Sequence, residues 1–235
     1  MDPKRIAENF EGKTIFITGS TGFLAKVLVE KIRRVQPNVK KLFLLIRASS
    51  DRSIEQRLDH EIVDTELFRV LRDKWGENFA SIISSKVIPI SCDISHENLG
   101  ITSTELRDVM WREVDFIVNS AATTRFDERY DVALDINTFG AMHISNFAKK
   151  CSKLKLLLHI STGHILEKSL HMGETLEGAK ASYLDIKAEK KLVEETKTTL
   201  QALNMIEKEL TSTLKDLGIE RLYTFLLLLL EMKAA

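Results

Sequence analysis

Thr14-Ile15-Phe16-Ile17-Thr18-Gly19-Ser20-Thr21-Gly22-Phe23-Leu24-Ala25 is the stretch that decides the fold. An apolar run ends in two glycines spaced three apart, and an alanine follows three residues later. The pattern predicts a strand, a tight turn at Gly19, and a helix over residues 22–35. Gly22 leaves room for backbone to approach a pyrophosphate, and Ala25 lets the helix lie close to the sheet. The free N–H groups at the helix start, with the positive end of its dipole, then face the phosphates. Gly19, Ser20, Thr21, Gly22, Phe23, Leu24 and Ala25 are therefore the first candidate dinucleotide-binding residues.

Further strand-like runs follow at residues 41–47, 86–91, 115–120 and 154–161, with helical patterns between most of them. Runs such as Leu42-Phe43-Leu44-Leu45-Ile46 are continuously apolar, as strands covered by helices on both faces must be. Together they predict an α/β fold, a Rossmann-like doubly wound parallel sheet. The connection from Ser53 to Ser84 is long and carries Ile54, Leu58, Ile62, Leu67, Leu71 and Trp75 at helical spacing, which predicts one or two added helices. Residues 186–217 show amphipathic spacing in a Lys/Glu-rich context, with Gly218 as the expected helix stop.

The chain has 235 residues, 44% of them hydrophobic, enough for one sizeable core. Its 34 basic and 34 acidic residues cancel, which argues against a nucleic-acid partner. Cys92 and Cys151 form no metal-binding spacing, so no metal site is expected, and a reducing intracellular setting is. The apolar segment Leu222–Leu230 is about half of the ~20 residues a membrane helix needs. The expected organisation is a nucleotide-binding domain over 1–221, incomplete at its end, and a hydrophobic tail over 222–235.

Ligands of such sheets bind beyond the C-terminal strand ends, so the residues there are the next candidates. Arg47, after the second strand, suits the 2′-phosphate of NADPH, where an acidic residue would favour NADH. Asp93, after the third, either accepts from the adenine amino group or caps a local turn. Ala121, Ala122 and Thr123, after the fourth, let a cofactor ribose approach the backbone, and Arg125 and Phe126 follow toward the substrate side. After the fifth, Ser161, with Thr162 beside it, is the candidate catalytic hydroxyl that polarises a carbonyl oxygen. Asn137 either supports the active site from the central helix or faces solvent.

The Gly-x-x-Gly-x-x-Ala spacing is that of extended short-chain dehydrogenases/reductases. With Leu44-Leu45-Ile46-Arg47-Ala48, Ala121-Ala122-Thr123-Thr124-Arg125-Phe126-Asp127-Glu128-Arg129-Tyr130-Asp131, Asn137-Thr138-Phe139-Gly140-Ala141, His159-Ile160-Ser161-Thr162 and Met172-Gly173-Glu174-Thr175-Leu176, the chain resembles the plant-type alcohol-forming fatty acyl-CoA reductases over residues 10–221. The 121–131 run is the most specific part of that likeness. The resemblance implies NADPH as cofactor and a long-chain acyl-CoA as substrate, reduced through the aldehyde to a primary alcohol. A lipid substrate points to the cytoplasm or the periphery of the endoplasmic reticulum.

The family's catalytic Tyr-x-x-x-Lys is expected downstream of Asp216-Leu217-Gly218-Ile219-Glu220-Arg221, where this chain runs into its leucine-rich end instead. The expectation is thus a C-terminally truncated member. Two other readings stay open. One is a chain that holds cofactor, or pairs with full-length relatives, without turnover. The other is a different extended short-chain reductase or epimerase that uses Tyr183 and Lys187, the one literal Tyr-x-x-x-Lys pair in that region.

Overall fold

The computed structural model describes residues 3–161 and 185–234, with side chains described for 6–161 and 185–221. These fall into two compact units, one made of 3–122 with 139–161 and the other of 123–138 with 185–234.

The first unit is built on a five-stranded parallel sheet in the order β3-β2-β1-β4-β5. Its strands are β1 (Thr14–Thr18), β2 (Lys41–Ile46), β3 (Val87–Ser91), β4 (Phe116–Asn119) and β5 (Leu156–His159). Register runs Ile15 to Leu42 on one side of β1 and Ile15 to Phe116 on the other. The strand order reverses between β1 and β4, the switch point where such sheets open a crevice.

Side chains alternate between the two faces, as the pleat requires. Ile15, Ile17, Leu42, Leu44 and Ile46 point to one side, where they join Ala25, Val29 and Ile32 of α2 (Phe23–Val35) in a common core. Those three helix positions repeat at four and three residues, which puts them on one stripe. On the opposite face, Phe16 meets Phe147 of α8 (Gly140–Lys150) at 5.7 Å between ring centroids. Phe147 in turn meets Trp111 of α6 (Thr104–Glu113) at 5.9 Å. Both faces are therefore covered around β1, and β1 is buried at all five positions.

The long connection after β2 is more broken than one or two helices. It contains α3 (Ile54–Leu58), a π-helical turn over Asp59–Val63, α4 (Arg69–Trp75) and α5 (Phe79–Ser84), with 3₁₀ turns between them. Ser53 and Gln56 start α3 with a reciprocal capping box. Ile62, Phe68 and Leu71 are fully buried against the α2 face. Arg33 of α2 is only 1% exposed. Its guanidinium lies 5.2 Å over the Trp75 ring and donates to Pro37 O at 3.1 Å, so the insertion is fastened to the core helix by a buried cation as well as by apolar contact.

In the second unit, α7 (Tyr130–Ala133) and the π-helical turn that follows it pack with α9 (Ile186–Ala202) and α10 (Glu207–Ala234). Two expectations change here. The amphipathic stretch is two helices, because Asn204 takes a left-handed conformation (φ 52°) and breaks it. Gly218 does not end α10. A Cβ there would stand 3.2 Å from Tyr130 Cβ, so this glycine serves helix packing rather than a cap.

Candidate functional site

The turn after β1 is built for close approach. Gly19 has φ 66°, and a Cβ on it would fall 2.8 Å from Ser120 O and 2.9 Å from Ala121 Cα. No residue with a side chain fits there. Gly22 N–H donates to Gly19 O at 2.9 Å and closes the turn. The buried Ser20 hydroxyl donates to Ile17 O (3.0 Å), so it braces the turn from within. Gly22 is also the N-cap of α2, without a side-chain cap, and the first helical turn holds no acidic residue. The N–H groups of that turn are left for an anion. Phe23 and Leu24 are exposed beside it and Ala25 is buried against the sheet, as the spacing required.

Thr18, the last residue of β1, is the hub of the strand ends. It is fully buried, and its Oγ1 accepts from Ser120 N (3.2 Å) and Ala121 N (3.1 Å) while donating to Asn119 Oδ1 (2.6 Å). Ser120 Oγ donates to Thr18 O at 2.7 Å. Asn119, 1% exposed, extends the chain to His159 Nδ1 at 2.9 Å. Thr18, Asn119 and His159 occupy the last positions of β1, β4 and β5, in register, so one hydrogen-bonded row crosses three strand ends. None of the three was singled out from sequence. The available signal was a polar residue closing an otherwise apolar strand in each case.

Arg47 is exposed just past β2. Its carbonyl oxygen accepts from Arg57 Nη1 (2.5 Å), and Arg57 is itself held by Glu61 at 2.6 and 2.9 Å. Glu61 sits below the usual carboxylate range because Arg57 bonds to it. Asp93 Oδ1 accepts from Ser95 N (2.9 Å) and Ser95 Oγ (2.8 Å), which makes it the organiser of the turn after β3. Ser161 is exposed two residues beyond β5. Thr162 and Tyr183 lie outside the described residues. Lys187 is exposed in the first turn of α9.

The second unit holds the rest of the specific run. Asn137 Oδ1 accepts from Thr123 N (2.9 Å) and Asn137 Nδ2 donates to Thr123 O (3.0 Å), so the side chain grips the backbone of the candidate ribose residue from both sides. Phe126 is fully open to solvent and Arg125 is exposed, and Asp127 is drawn down to about 2 by hydrogen bonds from Lys215 and Arg125. Arg129 bonds Asp131 through Nε (3.1 Å) and Nη2 (2.8 Å) and reaches Glu207 at 2.9 Å. Tyr130 Oη donates to the buried Glu189 (2.8 Å), which also pairs with Arg221. Burial, then Glu189, pushes the Tyr130 phenol up to about 12. Four of the eleven residues of the 121–131 run, Asp127, Arg129, Tyr130 and Asp131, therefore bond to α9 or α10 and fasten helices.

Among the described residues there is no group of His, Cys, Asp or Glu able to hold a metal ion, and no helix long and apolar enough to cross a membrane.

The chain is 50% identical over 224 residues to an alcohol-forming fatty acyl-CoA reductase of Simmondsia chinensis, covering 92% of this chain and 45% of that protein. It is 50% identical over 218 residues to fatty acyl-CoA reductase 1 of Arabidopsis thaliana, covering 89% and 44%. The chain thus spans a little under half the length of these curated relatives. Among solved structures it is similar to the terminal R domain from the myxalamid PKS-NRPS pathway, with a TM-score of 0.51, 25% identity, and 65% and 35% of the two chains covered. The reductase (R) domain of a non-ribosomal peptide synthetase from Mycobacterium tuberculosis matches with a TM-score of 0.50 at 25% identity, over 70% and 38%. The family described as male sterility protein, an NAD-binding domain, matches residues 17–213, and the chain belongs to that family.

Proposed function

We propose that this chain carries the nucleotide-binding part of an NADPH-dependent reductase that converts long-chain fatty acyl-CoA to the fatty alcohol. The observation that carries the reading is the 50% identity, over 92% of the chain, to a reductase named for that reaction. The cradle made by Gly19, Gly22 and the uncapped start of α2 supports a diphosphate there. Gly19 to Ala25 would hold the pyrophosphate, Arg47 the 2′-phosphate, Asp93 the adenine side, and Ala121, Ala122, Thr123 and Asn137 the ribose side.

The cofactor, when bound, supplies hydride to the carbonyl carbon. The chain's own part is to hold and polarise: Ser161, with Thr162, donates to the carbonyl oxygen and stabilises the negative charge that develops on it. The thioester step releases the thiol of coenzyme A and leaves an aldehyde. A second hydride and a proton then give the alcohol, so two cofactor molecules are oxidised per acyl chain. Exposed Phe23 and Leu24 beside the cradle offer apolar surface at its rim.

Fluorescence titration of the purified 235-residue chain with NADPH and NADH, followed by product analysis on a series of long-chain acyl-CoAs, tests this. Tighter binding of NADPH, with alcohol or aldehyde formed, is the expected result. Failure to bind either nucleotide would reject it. Binding without product would assign the chain a cofactor-holding role, with peripheral membrane contact or pairing with longer relatives as its remaining routes to activity.

A further inference from the structure

The hydrogen-bonded row at the strand ends has a direction, and the direction follows from counting lone pairs. Thr18 Oγ1 accepts from two backbone N–H groups, Ser120 and Ala121, at 3.2 and 3.1 Å. Both of its lone pairs are used, so its own proton must point to Asn119, and the atom there must be the amide oxygen. Asn119 is 1% exposed, which forbids leaving either end of the amide without a partner at no cost. Its NH₂ therefore faces His159 as donor, at 2.9 Å, and Nδ1 of His159 must offer a lone pair. The imidazole carries its proton on Nε2.

Turned over, the Asn119 amide would set its NH₂ against Thr18 Oγ1. Three donors would then crowd an oxygen with two lone pairs, and one of the backbone bonds to Ser120 or Ala121 would be lost. Those two residues form the wall that stands 2.8–2.9 Å from where a Gly19 side chain would begin. The turn that approaches the diphosphate and the segment that approaches the ribose are thus held at a fixed spacing through Thr18.

We infer that His159 is a positioning residue for the nicotinamide cofactor: its Nδ1 lone pair keeps Asn119 in the one orientation that lets Thr18 hold the Ser120–Ala121 backbone against Gly19. This rests on the cofactor reading above. It gives the histidine just ahead of Ser161 a task that requires no contact with cofactor or substrate.

The test uses the whole chain, NADPH titration, and two substitutions. In His159→Asn the new Oδ1 takes the place of Nδ1 as acceptor. In His159→Phe the ring stays and the acceptor goes. Loss of one hydrogen bond of ordinary worth predicts about five- to tenfold weaker NADPH binding for His159→Phe. His159→Asn should bind within about twofold of the unsubstituted chain, less than the loss of one hydrogen bond would cost. A role limited to the stability of β5 would weaken both variants alike, and that result overturns the inference. Nitrogen NMR of ¹⁵N-histidine-labelled protein at pH 8, with His159→Asn to assign the signal, should show Nδ1 bare and Nε2 protonated. A protonated Nδ1 also overturns it. Absence of NADPH binding by the unsubstituted chain rejects the cofactor reading itself, whereas unchanged binding by His159→Phe rejects the positioning role alone.

Discussion

Gly19 and Ser120 are so close that a methyl group on the first would stand 2.8 Å from the carbonyl oxygen of the second. Gly19 also holds φ 66°, which a residue with a Cβ adopts only at a cost. Gly19→Ala is expected to abolish NADPH binding and to destabilise the first unit by about 1–3 kcal/mol. Gly76→Ala is the control, because Gly76 has φ 52° with nothing within 4 Å of its would-be Cβ. It should lower stability by about 1 kcal/mol and leave cofactor titration unchanged.

Arg47 is exposed at the end of β2 and carries the discrimination between the two nicotinamide cofactors in the proposed reading. Arg47→Ala should weaken NADPH binding about tenfold through the lost charge-assisted bond and leave NADH binding unaltered. Equal losses for both cofactors would remove Arg47 from the 2′-phosphate site.

The Asp131 side chain is 8% exposed and depends on Arg129 at 2.8 Å, with Lys197 farther away at 3.5 Å. Arg129→Ala strands most of that buried charge and should cost about 3 kcal/mol. Urea unfolding followed by circular dichroism reads the loss directly.

The raised Tyr130 phenol has a signature in alkali. A folded-state pKa pushed up to about 12 means that the fold favours the neutral phenol. Its contribution is complete below the ordinary tyrosine value of about 10 and is lost as pH rises toward the folded-state value. The stability difference between the unsubstituted chain and Tyr130→Phe should be constant below that window and shrink across it. A difference that stays constant throughout would show that burial and Glu189 do not hold the phenol neutral in the fold.

What could be read from sequence followed the range of the forces involved. β1 and α2 were legible because continuous apolar character, glycine spacing and the Ala25 contact are all local signals. The breaks in the insertion were not, since the π-helical turn at Asp59–Val63 reflects packing of Ile62 and Val63 under the sheet. Gly218 read as a stop because a glycine looks the same whether it caps a helix or admits Tyr130. The row Thr18, Asn119 and His159 stayed hidden because its bonds join residues 101 and 40 positions apart. Asn137 was found by its motif, but its grip on Thr123 became visible only with the backbone in place.

The two cysteines turn burial into a clock. Burial pushes the Cys92 thiol far above its ordinary range and the Cys151 thiol to about 11, so at neutral pH neither offers an appreciable thiolate. An alkylating reagent can reach them only during moments when the sheet unit opens. The rate of their labelling therefore times that breathing with no introduced residue, and a nucleotide that closes the unit should slow it in proportion to its occupancy.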